Sequence, residues 1–349
     1  MNVEIFAEWL RRQEYSVIKT HSSYWYEARR RVYQAFPFHW MIEPCEDELH
    51  HLLTKQHAFA LRYSTPLQSP LGCISYHAIY DKPTYTLDIL DRRSRQNVRS
   101  GLKKCQVEPI SLARLAEEGW SLEKDTANRQ GRGLALSEAV WRLRCTAAED
   151  LAGFEAWGAL VDGRLVASLL TFQMEDWCEL ISQQCHRDYL NARVNNALTF
   201  VVTETMVRRP EIRSIFYALQ SLDAPSSVDE FKFRMGYRAS PLRQRVVFHP
   251  WFKPCANGLT SAMVRRLLRR YPGNYTLAKA EGMLRFHLQG KLSLKDQDWP
   301  ECMIESRSEC ERVACILGQT ASNPGFGPGR LPFSGGALSL VHTGKDNIE

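Results

Sequence analysis

Ala156-Trp157-Gly158-Ala159-Leu160-Val161-Asp162-Gly163-Arg164-Leu165-Val166-Ala167-Ser168-Leu169-Leu170-Thr171-Phe172 decides how the rest of the chain is read. Asp162-Gly163 is the dipeptide that supplies the positive φ angles of a two-residue hairpin, so the apolar runs on either side read as paired strands. A third run, Cys178–Cys185, follows the polar turn Glu175-Asp176 and completes a meander. The period then changes. From Asn195, the residues Leu198, Val201, Val202, Thr205 and Met206 fall at helical spacing, and Pro210 ends the pattern. Ser214–Tyr217 reads as a short strand, Val228–Met235 as a helix stopped by Gly236, and Arg238–Phe248 as a last strand. This is an α/β order with an antiparallel start. A substrate is expected where the meander hands over to the helix.

Upstream, Ser23–Tyr33 is read as helical, Glu46–Leu53 as a short helix, and Ala58–Tyr63 and Gly72–Tyr80 as strands. Asp91 is placed to cap a helix. Behind it Arg92, Arg95, Arg99 and Lys103 share one face, and Val98, Leu102 and Cys105 form the stripe expected to pack inward. Four cations on one face repel one another by a few tenths of a kcal/mol per pair. They are either solvated or turned toward an anionic ligand. Val107–Ile110 then reads as a strand, Leu112–Glu118 as a helix, and Leu122–Leu136 as a polar connection. Ser137–Ala148 is a capped helix expected to bury Val140, Leu143 and Ala147.

Downstream, Pro250 and Pro254 mark a boundary. Ser261–Arg270 sets Met263, Val264, Leu267 and Leu268 against Arg265, Arg266, Arg269 and Arg270. Such a helix can lie on an anionic membrane surface or dock on the preceding domain, and docking is the preferred expectation. From about Gly318 the chain lacks periodicity and is expected to be disordered. The boundaries that follow are 1–105 for an N-terminal lobe, 106–249 for a second domain, 250–317 for a basic helical extension and 318–349 for the tail.

The 349 residues leave room for two domains or a duplicated unit. No apolar run reaches the ~20 residues that span a bilayer, and acids near the N-terminus argue against a signal peptide. The ten cysteines show no metal-type spacing, and Cys73, Cys178 and Cys185 sit in apolar runs. A reducing cytoplasm and no structural metal are expected. Glu48-Leu49-His50-His51 looks metal-like, but adjacent histidines on a helix diverge by about 100°. The net charge of +6 is uneven, concentrated at Arg92–Lys104 and Lys253–Lys295 and followed by an acidic stretch from Asp296 to Glu311. These blocks either neutralise each other or form a polyanion-binding surface.

Familiar catalytic signatures such as G-x-S-x-G, the P-loop and H-E-x-x-H are missing. What remains is Phe231-Lys232-Phe233-Arg234-Met235-Gly236-Tyr237 just beyond the strand ending Phe216-Tyr217. It resembles the F/Y-K-x-x-F-G signature of FemAB-like acyltransferases, the branch of the Gcn5-related N-acetyltransferase (GNAT) fold that includes cell-wall aminoacyl transferases. The basic helix, the strands around Val161-Asp162-Gly163-Arg164 and the helix near Asn195 occur in matching order, so the resemblance covers about Arg92 to Arg245.

The resemblance implies a GNAT-like mixed sheet with flanking helices, often doubled, in which a splayed strand pair holds an acyl donor. It implies transfer of an acyl or aminoacyl group to an amine, possible acceptors being cell-envelope or polyanionic molecules. Lys232 matches the motif lysine that meets a phosphate or developing negative charge; the plainer reading is a lysine snorkelling from a packed helix. Tyr217 is the candidate proton donor to the leaving group, or an ordinary core aromatic. Asp229 and Glu230 are the carboxylates nearest Lys232 in sequence. Arg193, Asn195 and Asn196 fall where acetyl-CoA-dependent members carry R/Q-x-x-G-x-G/A. Asn196 and Leu198 replace both glycines, so coenzyme A fits poorly there. An acyl group on tRNA or another carrier is the alternative donor. A non-catalytic module that binds nucleic acid or an anionic membrane is the alternative function.

Overall fold

The computed structural model describes residues 2–131, 136–223 and 226–321. The chain opens with α1 (Val3–Arg12), β1 (Val17–Lys19), β2 (Tyr24–Arg29), β3 (Val32–Phe36), α2 (Glu46–Thr54), β4 (Ala60–Thr65) and β5 (Cys73–Tyr80). Then come α3 (Arg92–Leu102), β6 (Gln106–Ile110), α4 (Leu112–Arg129) and α5 (Glu138–Thr146). The meander follows as β7 (Phe154–Val161), β8 (Arg164–Met174) and β9 (Trp177–Cys185). After it lie α6 (Val194–Val207), β10 (Ser214–Leu219), α7 (Ser226–Arg234) and β11 (Arg238–Phe248), and the helices α8 (Gly258–Arg270), α9 (Tyr275–Gln289) and α10 (Arg307–Ala321) close the chain.

The strands form one mixed sheet of eleven, in the order β1-β2-β3-β4-β11-β5-β10-β9-β8-β7-β6. The hairpin forms as its dipeptide demands: Asp162 and Gly163 take φ of 50° and 78°, and Val161 faces Arg164 across the turn. β11 pairs with β4 and β5, which places it between two strands that precede residue 105. At the β6–β9 end, α1, α4 and α5 cover one face through Phe6, Trp9, Leu115 and Trp141, packed on Phe154 and Phe172. α3 and α6 cover the other through Val98, Leu198 and Val202. In the other half, α2 buries Leu49 and Leu52 against Leu61 and Trp25, while α9 packs Leu284 and Phe286 on Val246 and Phe248.

Several expectations are corrected. Ser23–Tyr33 is not helical but the β2–β3 hairpin, because Arg31 takes a left-handed φ of 59° and Tyr24 and Trp25 are buried against the sheet. Leu122–Leu136 is not a connection throughout: α4 runs to Arg129 and buries Leu122, Thr126 and Ala127. In α5, Trp141 and Cys145 face inward, and Val140 and Leu143 stay exposed. In α3 the inward residues are Ser94, Val98 and Gly101, while Leu102 is exposed. α10 continues through Ala321, so 318–321 are helical; the rest of the tail expected to be disordered, 322–349, lies outside the described residues. Among the described residues no helix is long and apolar enough to cross a membrane, and no group of His, Cys, Asp or Glu could hold a metal ion.

Candidate active site

β9 and β10 run parallel and pair at only three positions, Trp177 with Ser214, Cys178 with Ile215 and Glu179 with Phe216. Past Phe216 the two strands part. β10 shifts register against β5 between Phe216 and Ala218, so Tyr217 is the bulged residue. Where the backbone ladder between the strands stops, side chains take over. The Tyr217 hydroxyl donates to Gln183 Oε1 at 2.6 Å, and Gln183 Nε2 donates to Thr199 Oγ1 at 3.0 Å and Asn195 Oδ1 at 3.3 Å. Tyr217 meets Tyr237 edge-on, with ring centroids 5.0 Å apart, and the Tyr237 hydroxyl bonds Thr203. Burial raises the pKa of Tyr217 well above the usual phenol value, against a smaller opposing effect of the Thr199 bond. Its hydroxyl therefore stays protonated and able to donate.

α7 explains the spacing of Phe231-Lys232-Phe233-Arg234-Met235-Gly236-Tyr237. Phe231 and Met235, one helical turn apart, pack into the core shared with α6. Gly236 takes a φ of 85°, and the Tyr237 amide bonds back to the Lys232 carbonyl, a glycine-terminated helix end. Lys232 is held between. Its Nζ lies 2.6 Å from Asp229 Oδ1, and the Tyr76 hydroxyl donates to Asp229 Oδ2 at 2.6 Å. Lys232 and Asp229 are 6% and 8% exposed, so the pair is removed from solvent. The same Nζ stands 5.7 Å from the centre of the Tyr217 ring. Burial first, and Asp229 second, push the Tyr76 hydroxyl far above the ordinary phenol pKa.

A cavity of about 480 Å³ opens beside this pair, lined among others by Gln220, Asp223, Asp229, Glu230, Glu281 and Arg285. Asp229 belongs to its wall while Lys232 lies over Tyr217, so the ion pair partitions the cavity from the opening between the strands. Asp223 is paired with Lys279 and Glu281 with Arg285, which makes the wall mixed in charge rather than simply acidic.

The structure thus gathers four of the five residues singled out in the sequence. Tyr217 and Asn195 both bond Gln183, Lys232 covers the Tyr217 ring, and Asn196 Nδ2 reaches Met235 Sδ at 3.6 Å. Arg193 stands apart: it is exposed and caps α6 in a left-handed conformation, φ 64°, without a side-chain capping bond. α3 crosses the start of α6 here, so closely that a Cβ on Gly101 would lie 2.4 Å from the Arg193 carbonyl oxygen. On the basic face of α3, Arg95 pairs with Asp88, and Arg92, Arg99 and Lys103 are exposed.

One polar group escaped the sequence reading. Glu179, at the last paired position before the strands part, is 1% exposed. Its Oε1 accepts from the Phe38 amide at 3.1 Å and lies 2.8 Å from His39 Nδ1, and Trp177 stacks on the His39 ring. Glu179 Oε2, His39 Nε2 and Ser182 Oγ are buried without a partner among the described residues. The legible signal was Glu179, Ser182, Gln183 and Gln184 recurring inside one apolar strand, where polar side chains need a reason. Nearby His77, 4% exposed and bonded to Ser64, has its pKa lowered to about 3, mainly by burial and then by His39 and Arg62.

A pH dependence follows from His77. Its ordinary value is 6.5, so above that pH it is neutral in both states. Between 6.5 and about 3 the unfolded chain binds a proton that the folded chain refuses, and stability is lost as pH falls. The slope is about 1.4 kcal/mol per pH unit. In urea unfolding, the parent should lose about 2 kcal/mol more than His77→Gln between pH 7 and pH 5. Parallel pH profiles would show that His77 binds its proton alike in the folded and unfolded chain.

No family model matches the chain, and no curated protein matches it. Solved structures do. FemX aligns over 71% of this chain and 92% of its own at 10% identity, with a TM-score of 0.50. The fold is the FemAB-like form of the GNAT fold. The C-terminal domain of a putative lysylphosphatidylglycerol synthetase from Agrobacterium fabrum is 11% identical over 69% of this chain and 86% of its own, with a TM-score of 0.47. L-PGS from Bacillus licheniformis is 9% identical over 71% and 91%, with a TM-score of 0.45. The GNAT-like mixed sheet, expected from the Lys232 motif, is therefore present, and its single eleven-stranded form accords with a doubled unit.

Proposed function

We propose that this FemAB-like fold transfers an acyl or aminoacyl group from a carrier to an amine. The opening between β9 and β10 carries this reading: three paired positions, then two strands parting around a hydroxyl and an amide side chain. A carbonyl lodged there takes the Tyr217 O–H from Gln183 Oε1, and burial, which keeps that hydroxyl protonated, leaves it a hydrogen-bond donor to the developing negative charge. As the amine nitrogen bonds the carbonyl carbon, the bond to the departing oxygen or sulfur breaks, and the proton the amine loses passes to that atom. Glu179 lies on the opposite face of the sheet, where it holds the Phe38 amide and His39. Lys232 is engaged by Asp229, so we assign it a positioning role, holding Tyr217 and α7 in place.

On the donor side, Asn195 and Asn196 turn inward to Gln183 and Met235, which leaves the exposed Arg193 and the face of Arg92, Arg99 and Lys103 for anionic contacts. A long polyanion such as aminoacyl-tRNA suits that arrangement better than coenzyme A, whose pyrophosphate needs glycine-lined amides. Thermal unfolding with each donor tests this. A true donor at a hundred times its dissociation constant adds about 2.7 kcal/mol. The expected result is a rise with aminoacyl-tRNA and none with millimolar acetyl-CoA. The inward-turned asparagines also favour a second reading, a module that binds nucleic acid without catalysis. Equal stabilisation by charged and uncharged tRNA, with no loss of the aminoacyl group, would favour that second reading.

A further inference from the structure

α8 docks with only part of its apolar surface. Ser261 is buried, Val264 packs on the α9 core and Leu268 lines the cavity. The other part points away from the protein: Leu259, Met263, Leu267 and the following Tyr271 are 84%, 59%, 41% and 57% exposed. Those four are spaced four residues apart, so they form one continuous ridge along the outer side of the helix. Arg266, Arg269 and Arg270 are also exposed. Among the described residues Arg265 pairs with Glu281 at 4.0 Å, and none of the other three arginines of α8 makes an ion pair. Docking, the expectation preferred from sequence, therefore accounts for Val264 and Leu268 but not for Met263 and Leu267.

We propose that this outward face of α8 lies on an anionic lipid surface, with the ridge in the acyl boundary and the arginines at the headgroups. Charge decides the occupant. An apolar ridge alone would suit any hydrophobic partner, but three uncompensated guanidinium groups beside it select an extended negative surface. A soluble protein would have to supply matched carboxylates and apolar pockets together. A bilayer containing phosphatidylglycerol supplies both without a specific fold. The inference does not depend on the chemistry between β9 and β10.

Flotation of the full chain with vesicles of phosphatidylcholine, alone or mixed with phosphatidylglycerol, tests it. The protein should float with the mixed vesicles, stay behind with the neutral ones, and be released by high salt. Arg266→Gln/Arg269→Gln/Arg270→Gln should weaken binding about a hundredfold, since each cation near such a surface contributes about a factor of five. Leu259→Ser/Met263→Ser/Leu267→Ser should weaken it at least tenfold. All six side chains are exposed, so both variants should keep the parent's melting temperature. Failure to float with the mixed vesicles, equal binding to neutral ones, or full binding by either variant would overturn the proposal. So would a dimer that the Leu259/Met263/Leu267 variant dissociates, because the ridge would then belong to a second copy. Flotation only after removal of residues 322–349 would equally count against it.

Discussion

Lys232→Met should lower stability by about 3–5 kcal/mol, since it leaves the Asp229 carboxylate buried and without its cation. Methionine keeps the aliphatic bulk, so packing between Phe231 and Met235 changes little. The Tyr76 hydroxyl still donates to Asp229, which places the loss toward the lower end. The melting temperature should fall by roughly 4–7 °C. The double variant Lys232→Met/Asp229→Asn removes both charges and should recover most of the loss, because the penalty comes from an unpaired buried charge and not from the missing attraction. A single variant as stable as the parent would mean that Lys232 and Asp229 do not form a desolvated pair. This places the motif lysine in a dual position: its charge is bound to Asp229, and its influence on chemistry must pass through the Tyr217 ring.

Tyr217→Phe is the second large effect. Phenylalanine keeps the ring against Tyr237 and beneath Lys232 and removes only the hydroxyl that bonds Gln183. Stability should fall by about 1–3 kcal/mol, the cost of leaving one buried partner unsatisfied. Transfer to an amine should fall by about 10²–10³, the loss that follows removal of one preorganised donor to a developing negative charge. A folded variant with full transfer would remove Tyr217 from the mechanism.

What the sequence disclosed and what it concealed divide by the range of the interactions. Asp162-Gly163 and Asp91 act locally, through turn geometry and a capping bond, and the structure places both as their residue types require. Gly236 likewise ends α7 through its own φ. Ser23–Tyr33 misled because its aromatic residues suit a helix stripe as well as a strand, and only burial of Trp25 against Tyr63, from a distant strand, selects the sheet. In α5 the choice between Val140 and Trp141 as the inward side depended on Leu115 of the neighbouring helix α4, whose carbonyl bonds the Trp141 indole.

The site divides in the same way. Lys232 and Asp229 are neighbours on one helix, so their pairing could be anticipated from spacing. Gln183 joins Tyr217 and Asn195, and His39 joins Glu179 from about 140 residues away. Nothing local in the chain marks those meetings. Gln183 reaches the Tyr217 hydroxyl because β9 and β10 separate after Phe216, a property of the assembled sheet.

Transfer itself tests the account most directly. The purified chain is incubated with radiolabelled aminoacyl-tRNA, or separately with labelled acetyl-CoA, and a mixed pool of small-molecule amines, and label in amide products is counted. The account predicts transfer from aminoacyl-tRNA by the parent, and transfer lowered at least a hundredfold in folded Tyr217→Phe. Folded protein that binds the carrier yet moves no label from either donor to any amine would contradict it.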